Sequence, residues 1–150
     1  MKQILTLIIL FTIFSCNTTN SEKHLSPEEL KLELKKQEQF DPVPYLTAKA
    51  TMTPNSVKTR NAGIFHSAEY KTDGYNVVGT IKNTATMARY KDVVLSFSFL
   101  SQTQTVIETK EYILYNFYEP NSTKAFSLKV FPPSAMNQFN INVINASAAN

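Results

Sequence analysis

Asp92-Val93-Val94-Leu95-Ser96-Phe97-Ser98-Phe99-Leu100 is the stretch whose reading decides the fold. Val93, Leu95, Phe97 and Phe99 fall on alternate positions, with Val94, Ser96 and Ser98 between them. A period of two sends the first set to one face of a strand and the second set to the other. The stretch lies inside a longer segment, residues 75–131, whose flanking runs repeat the alternation. The centre of the chain is therefore predicted to be built from sheets.

Before this strand, Pro44–Met52 alternates Leu46, Ala48, Ala50 and Met52 against Thr and Lys, and is predicted as the first strand. Residues 53–61 hold Pro54-Asn55 and read as a loop, with a short edge segment at Val57. Ile64–Tyr70 and Tyr75–Lys82 flank Lys71-Thr72-Asp73-Gly74. Asp-Gly supplies the positive φ angles of a tight turn, so these two runs are predicted as a hairpin. Gly79 interrupts the second arm and needs something packed closely over it, for which Phe97 is the expected neighbour. Asn83–Arg89 is a polar connection with one apolar insert, Met87.

After it, Ser101–Gln104 turns the chain back into Thr105–Tyr115, whose mixed faces suit a strand near an edge. Glu119-Pro120-Asn121-Ser122 is a turn, Phe126, Leu128 and Val130 alternate, and Pro132-Pro133 ends that strand. Phe139, Ile141 and Val143 form the last strand, and residues 145–150 have nothing to bury. About seven strands at short spacing predict a mainly β fold, an antiparallel two-sheet sandwich preceded by one short helix.

That helix starts at Ser26-Pro27-Glu28-Glu29-Leu30. Ser26 caps, Pro27 suits the first helical position, and Glu29 completes a Ser-x-x-Glu capping box. Leu25 and Leu30 occupy the positions of a hydrophobic staple. The helix is predicted to run to about Gln39, because Pro42 and Pro44 forbid continuation. Leu30 and Leu34 give it a narrow apolar stripe, read first as docking on the domain's own sheet and otherwise as a spacer or a partner-binding face.

The 150 residues, 43% hydrophobic and 18% charged, suffice for one domain with small appendages. A net charge of +3 is carried by basic residues scattered along the strands, which reads as a solvated sheet face and not as a nucleic-acid patch. One cysteine rules out an intrachain disulfide or a cysteine zinc cluster.

That cysteine closes the N-terminal signal. Met1-Lys2 is a short positive region, Ile4–Phe14 is an apolar run, and Ile13-Phe14-Ser15-Cys16 follows. This resembles the bacterial lipoprotein signal, in which a small residue precedes a Cys that receives lipid and becomes the first residue; Phe14 departs from the usual small residue at its position. The resemblance implies membrane attachment through acylated Cys16, with each buried CH₂ contributing about 0.8 kcal/mol. The polar tether Asn17–Lys23, the few glycines and the abundant Lys and Asn resemble small lipoproteins of the Bacteroidota. Surface-bound members of that group often carry an acidic cluster after the Cys. Here Glu22 stands alone, which implies the periplasmic side of the outer membrane. The domain boundaries are then 1–15 for the signal peptide, 16–25 for the lipidated tether, 26–40 for the helix and 44–145 for the sandwich.

A second resemblance covers residues 77–130. Val78-Gly79-Thr80-Ile81-Lys82-Asn83-Thr84, the run Tyr90–Phe99 and the later Phe126 resemble the FxLYD group of immunoglobulin-like bacterial domains. Leu100-Ser101-Gln102 departs from the Tyr-Asp turn of that group. The resemblance implies an immunoglobulin-like fold in an envelope protein and transfers no catalytic residue.

No catalytic constellation, metal site or cofactor motif emerges. His24 and His66 are far apart in sequence and have no local Cys or acidic partner, no Ser sits in a Gly-x-Ser-x-Gly elbow, and three glycines provide no phosphate-cradling loop. Tyr112, Tyr115, Phe117 and Tyr118 form a dense aromatic run, read either as packing or as a binding surface. The expectation is a non-enzymatic binding or accessory module of an outer-membrane assembly, with an envelope protein as partner and no nucleic acid. The alternatives are a glycan- or peptide-binding module using the aromatic run, and a small hydrolase that would need His66 beside a carboxylate or hydroxyl.

Overall fold

The computed structural model describes residues 25–149; the segment expected to be a signal peptide, Cys16, the expected tether and His24 lie outside the described residues. The elements are α1 (Pro27–Phe40), a short 3-10 turn (Val43–Tyr45), β1 (Leu46–Arg60), β2 (Glu69–Asn83), β3 (Arg89–Leu100), β4 (Val106–Leu114), β5 (Ser122–Val130) and β6 (Gln138–Ala149). Two antiparallel sheets, in the orders β1-β2-β5 and β4-β3-β6, make an immunoglobulin-like sandwich of six strands where about seven were expected. Val93, Leu95, Phe97 and Phe99 of β3 are fully buried, facing Val77, Ile81, Phe126 and Val130 of the other sheet in one core. β4 is an edge strand, in keeping with the charges on its faces.

The missing strand is explained at Asp73-Gly74, which is not a hairpin turn. β2 runs through it and stays paired to β1 on both sides, Tyr75 opposite Pro54 and Thr72 opposite Ser56. Asp73 and Gly74 together face the single residue Asn55, and Gly74 has φ +73°. This is a β-bulge with glycine in the left-handed region. Asn55 Nδ2 donates to the Asp73 carbonyl at 3.1 Å, and Asp73 pairs with Lys129 at 2.6 Å. Residues 53–60, expected as loop, therefore belong to β1; Pro54 is tolerated because β1 is an edge strand. The true turn lies between Gly63 and His66.

Three smaller expectations are also corrected. The residue packed over Gly79 is Phe126 of β5, its direct register partner, and not Phe97. The C-terminal residues do bury side chains: β6 continues to Ala149 opposite Arg89, and Ala146 and Ala149 are buried, 8% exposed each. The leucine stripe of α1 does not dock on the sheet, since Leu30 is 54% and Leu34 39% exposed.

The capping box forms as expected, with Ser26 N donating to Glu29 Oε2 at 2.8 Å and Glu29 N to Ser26 Oγ at 3.3 Å. At its other end α1 is fastened by Glu38, which is 1% exposed. Its Oε1 accepts from Thr86 N and Thr86 Oγ1, and its Oε2 from Met87 N and Ala88 N, all at 2.8 Å. Tyr90 Oη donates to the Glu38 carbonyl at 2.9 Å. Asn83, fully buried, orders the same connection by donating to the carbonyls of Ala88 and Tyr118 and accepting from Ala85 N. Burial alone would raise the Glu38 carboxyl, but the hydrogen bonds from Thr86, Met87 and Ala88 outweigh it and hold the group below the ordinary carboxylate range.

Candidate functional site

The aromatic run of β4 and the connection after it is divided by the fold. Tyr118 is 1% exposed, and its backbone pairs with Tyr90. Tyr112 is half-buried and meets Phe97 edge-on, with centroids 5.3 Å apart. Tyr115 and Phe117 are exposed, and the Arg89 guanidinium lies 3.9 Å above the Phe117 ring while its Nε pairs with Glu119 at 2.7 Å. Only two of the four residues are thus exposed, and one is fully buried. His66 is exposed in the β1–β2 turn, and its ring makes no hydrogen bond among the described residues. The described residues hold no cluster of His, Cys, Asp or Glu able to bind a metal.

Glu38 is the one buried carboxylate among the described residues, and all its acceptor capacity is used by the 86–88 backbone and Thr86. Its role is structural. A signal for it existed in the sequence: a glutamate in the last turn of a helix sits at the unfavourable end of the dipole, and there is no basic residue in that turn. Such a residue needs an external partner.

The other arrangement with binding potential is the seam where the edges of the two sheets meet. β1 and β6 approach each other along one side of the sandwich, and each is hydrogen-bonded to a neighbour on only one flank. Between them runs a cleft of about 500 Å³ lined by Met52, Tyr75, Met136 and Phe139 together with the polar Asn137 and Gln138. A second hollow of about 490 Å³ adjoins it at Ala48, Ala50 and Ile141. These apolar side chains are half-buried, packed on the core from below and open from above.

The four edge strands differ in how they resist stray pairing. β1 carries Lys49, Pro54, Lys58 and Arg60, β4 carries Glu108, Lys110 and Glu111, and β5 carries Lys124 and Lys129. β6, Gln-Phe-Asn-Ile-Asn-Val-Ile-Asn-Ala-Ser-Ala-Ala, has no charge and no proline over its whole length. Charge and proline are the usual blocks on an exposed edge, so β6 is the strand left able to accept another. The signal was present in the sequence, because Lys129 is the last charged residue in the chain. It lacked meaning until β6 was known to be an edge.

No protein-family model matches this chain, and no curated protein matches it. A solved structure that matches is the enzymatically active domain of tailspike protein 4 from bacteriophage CBA120, at 17% identity and a TM-score of 0.26. The match covers 75% of this chain and 18% of the tailspike chain. A likeness of that degree carries no argument about activity.

Proposed function

We propose that this protein is a non-catalytic, lipid-anchored binding module of the cell envelope, an accessory part of an outer-membrane assembly. It receives an extended segment of an envelope partner as a strand added to β6. The observation that carries this reading is the uncharged β6 edge beside the cleft where Met52, Tyr75, Met136 and Phe139 stand with Asn137 and Gln138. Main-chain hydrogen bonds along an open edge give affinity, and pockets for alternate side chains give selectivity. The lipoprotein-like signal ending at Cys16 supports attachment to membrane lipid, and the lone Glu22 after it supports the periplasmic side of the outer membrane. The FxLYD-like run from Val78 to Phe99 supports a place among envelope proteins.

The test is a photo-crosslinking residue placed in living cells at Asn140 or Asn142 on β6, with Glu111 on the charged β4 edge as reference. Discrete adducts to an envelope protein are expected from the β6 positions and not from Glu111. Placing Lys at Asn142 while probing from Asn140 should reduce the adduct by about tenfold, because a charge on the edge opposes strand addition. Absence of any adduct from β6, in cells where Cys16→Ser still releases the protein from membranes, would remove the strand-acceptor reading and leave the anchor standing.

A further inference from the structure

Beyond the Asp73-Gly74 bulge, β1 and β2 leave the sandwich as a two-stranded ribbon. Ser56–Arg60 runs opposite Glu69–Thr72, and every residue from 56 to 67 is exposed, so no core lies under either face. The ribbon closes at Gly63 and His66, with Gly63 N donating to the His66 carbonyl at 2.9 Å. The two corners of that turn are Ile64 and Phe65, 93% and 96% exposed. Turn corners are ordinarily Gly, Pro, Asn, Asp or Ser, chosen for backbone geometry and solvation. Two large apolar side chains at the farthest point of an arm serve no core and no turn requirement.

The charges behind the tip are arranged around it. Lys58 and Lys71 each stand six residues from the apolar pair. Lys58 lies opposite Tyr70, and Lys71 opposite Val57, so the two lysines project from opposite faces of the ribbon. Neither has an ion-pair partner among the described residues, whereas Arg60 is paired with Glu69. Tyr70, 65% exposed, sits beside Lys58. A pocket on a partner protein would be met by a one-sided surface. An apolar point with cations on both faces and a tyrosine behind it matches a planar layer that is apolar inside and anionic at its surface.

We propose that the β1–β2 tip inserts into an anionic phospholipid surface. Ile64 and Phe65 enter the acyl boundary, while Lys58, Lys71 and Tyr70 face the anionic headgroups from farther back along the ribbon. This site is separate from the β6 edge and does not rest on that reading or on acylation of Cys16.

The chain has no tryptophan, so Phe65→Trp makes the tip its own reporter. The full chain carrying Phe65→Trp is mixed with phosphatidylglycerol vesicles and, separately, with phosphatidylcholine vesicles. Anionic vesicles are expected to shift its emission to the blue and to reduce acrylamide quenching by about threefold, as interfacial burial of the ring requires. Tyr115→Trp, exposed on the connection after β4, should stay solvent-like in the same mixture. Lys58→Gln with Lys71→Gln should weaken the lipid dependence of the Phe65→Trp signal by about tenfold. Because the readout is local to residue 65, attachment of the chain elsewhere does not mimic it. Unchanged emission and quenching at residue 65 with anionic vesicles would overturn the proposal, and so would an equal shift at residue 115.

Discussion

Glu38→Ala is expected to free α1 from the sandwich and to lower the unfolding free energy by about 3 kcal/mol. Hydrogen bonds to a charged acceptor each contribute about 1.5–3 kcal/mol. Glu38 accepts four, three of them from the consecutive backbone amides of Thr86, Met87 and Ala88. The net loss is smaller than their sum because these amides regain water once the helix lifts away. Urea unfolding measures the loss, and amide exchange at residues 86–88 locates it; both should change together. Protection at 86–88 that survives the substitution would mean that the connection is ordered without the helix.

The same carboxylate sets a pH dependence. An unfolded Glu titrates at about 4.3. In the fold, hydrogen bonding holds Glu38 below the usual range, against the opposing effect of burial. A group whose folded value is depressed stabilises fully above its unfolded value and loses that contribution as pH falls through the folded one. The native protein should therefore weaken in acid below about pH 4. Glu38→Gln, already deprived of the charge, should show a flatter acid limb. Parallel acid limbs in the two chains would exclude Glu38 as the titrating group.

Gly79→Val is expected to destabilise the sandwich by about 3 kcal/mol or more. Gly79 sits at the centre of the β1-β2-β5 sheet, opposite Ala50 on one side and Phe126 on the other. A Cβ at this position would lie 2.6 Å from Phe126 Cζ and 2.8 Å from Ala50 Cβ, and would press on the Lys49 carbonyl. The ring can yield, but the backbone carbonyl cannot do so without disturbing the β1–β2 ladder. Pairing the substitution with Phe126→Leu should recover part of the loss, giving a combined cost below the sum of the single ones. Strict additivity would show that the ring does not limit the space above Gly79. Thermal unfolding of the four chains settles it.

The two residues also mark where reading the sequence succeeds and where it stops. That Gly79 needed a close neighbour followed from a glycine in mid-strand. That the neighbour is Phe126 and not Phe97 depends on β5 lying beside β2, which no local pattern encodes. Asp73-Gly74 shows the same limit more sharply. Its positive φ was rightly inferred, but a hairpin and a bulge use the same backbone angle at glycine. Which one forms depends on whether the chain before it continues to pair, and Ser56–Arg60 provides that pairing. Among the candidate site residues, Tyr112, Tyr115, Phe117 and Tyr118 are neighbours in the sequence. The strand alternation and the return of the chain past Tyr90 then sent them to different environments.

By itself the sequence determined what neighbouring residues determine through local geometry. The period of two assigned the buried face of β3, the Ser26–Glu29 pair began the helix, and charge on both faces marked β4 as an edge. Only the tertiary structure decided what required distant segments to meet. Glu38 found its donors 48 to 50 residues away, β6 became an unprotected edge, and Ile64 and Phe65 became the tip of an arm. The physical reason is that alternation and capping are fixed by covalent spacing. Pairing, burial and exposure are fixed by which segments close on one another, a choice made by the energy of the whole core.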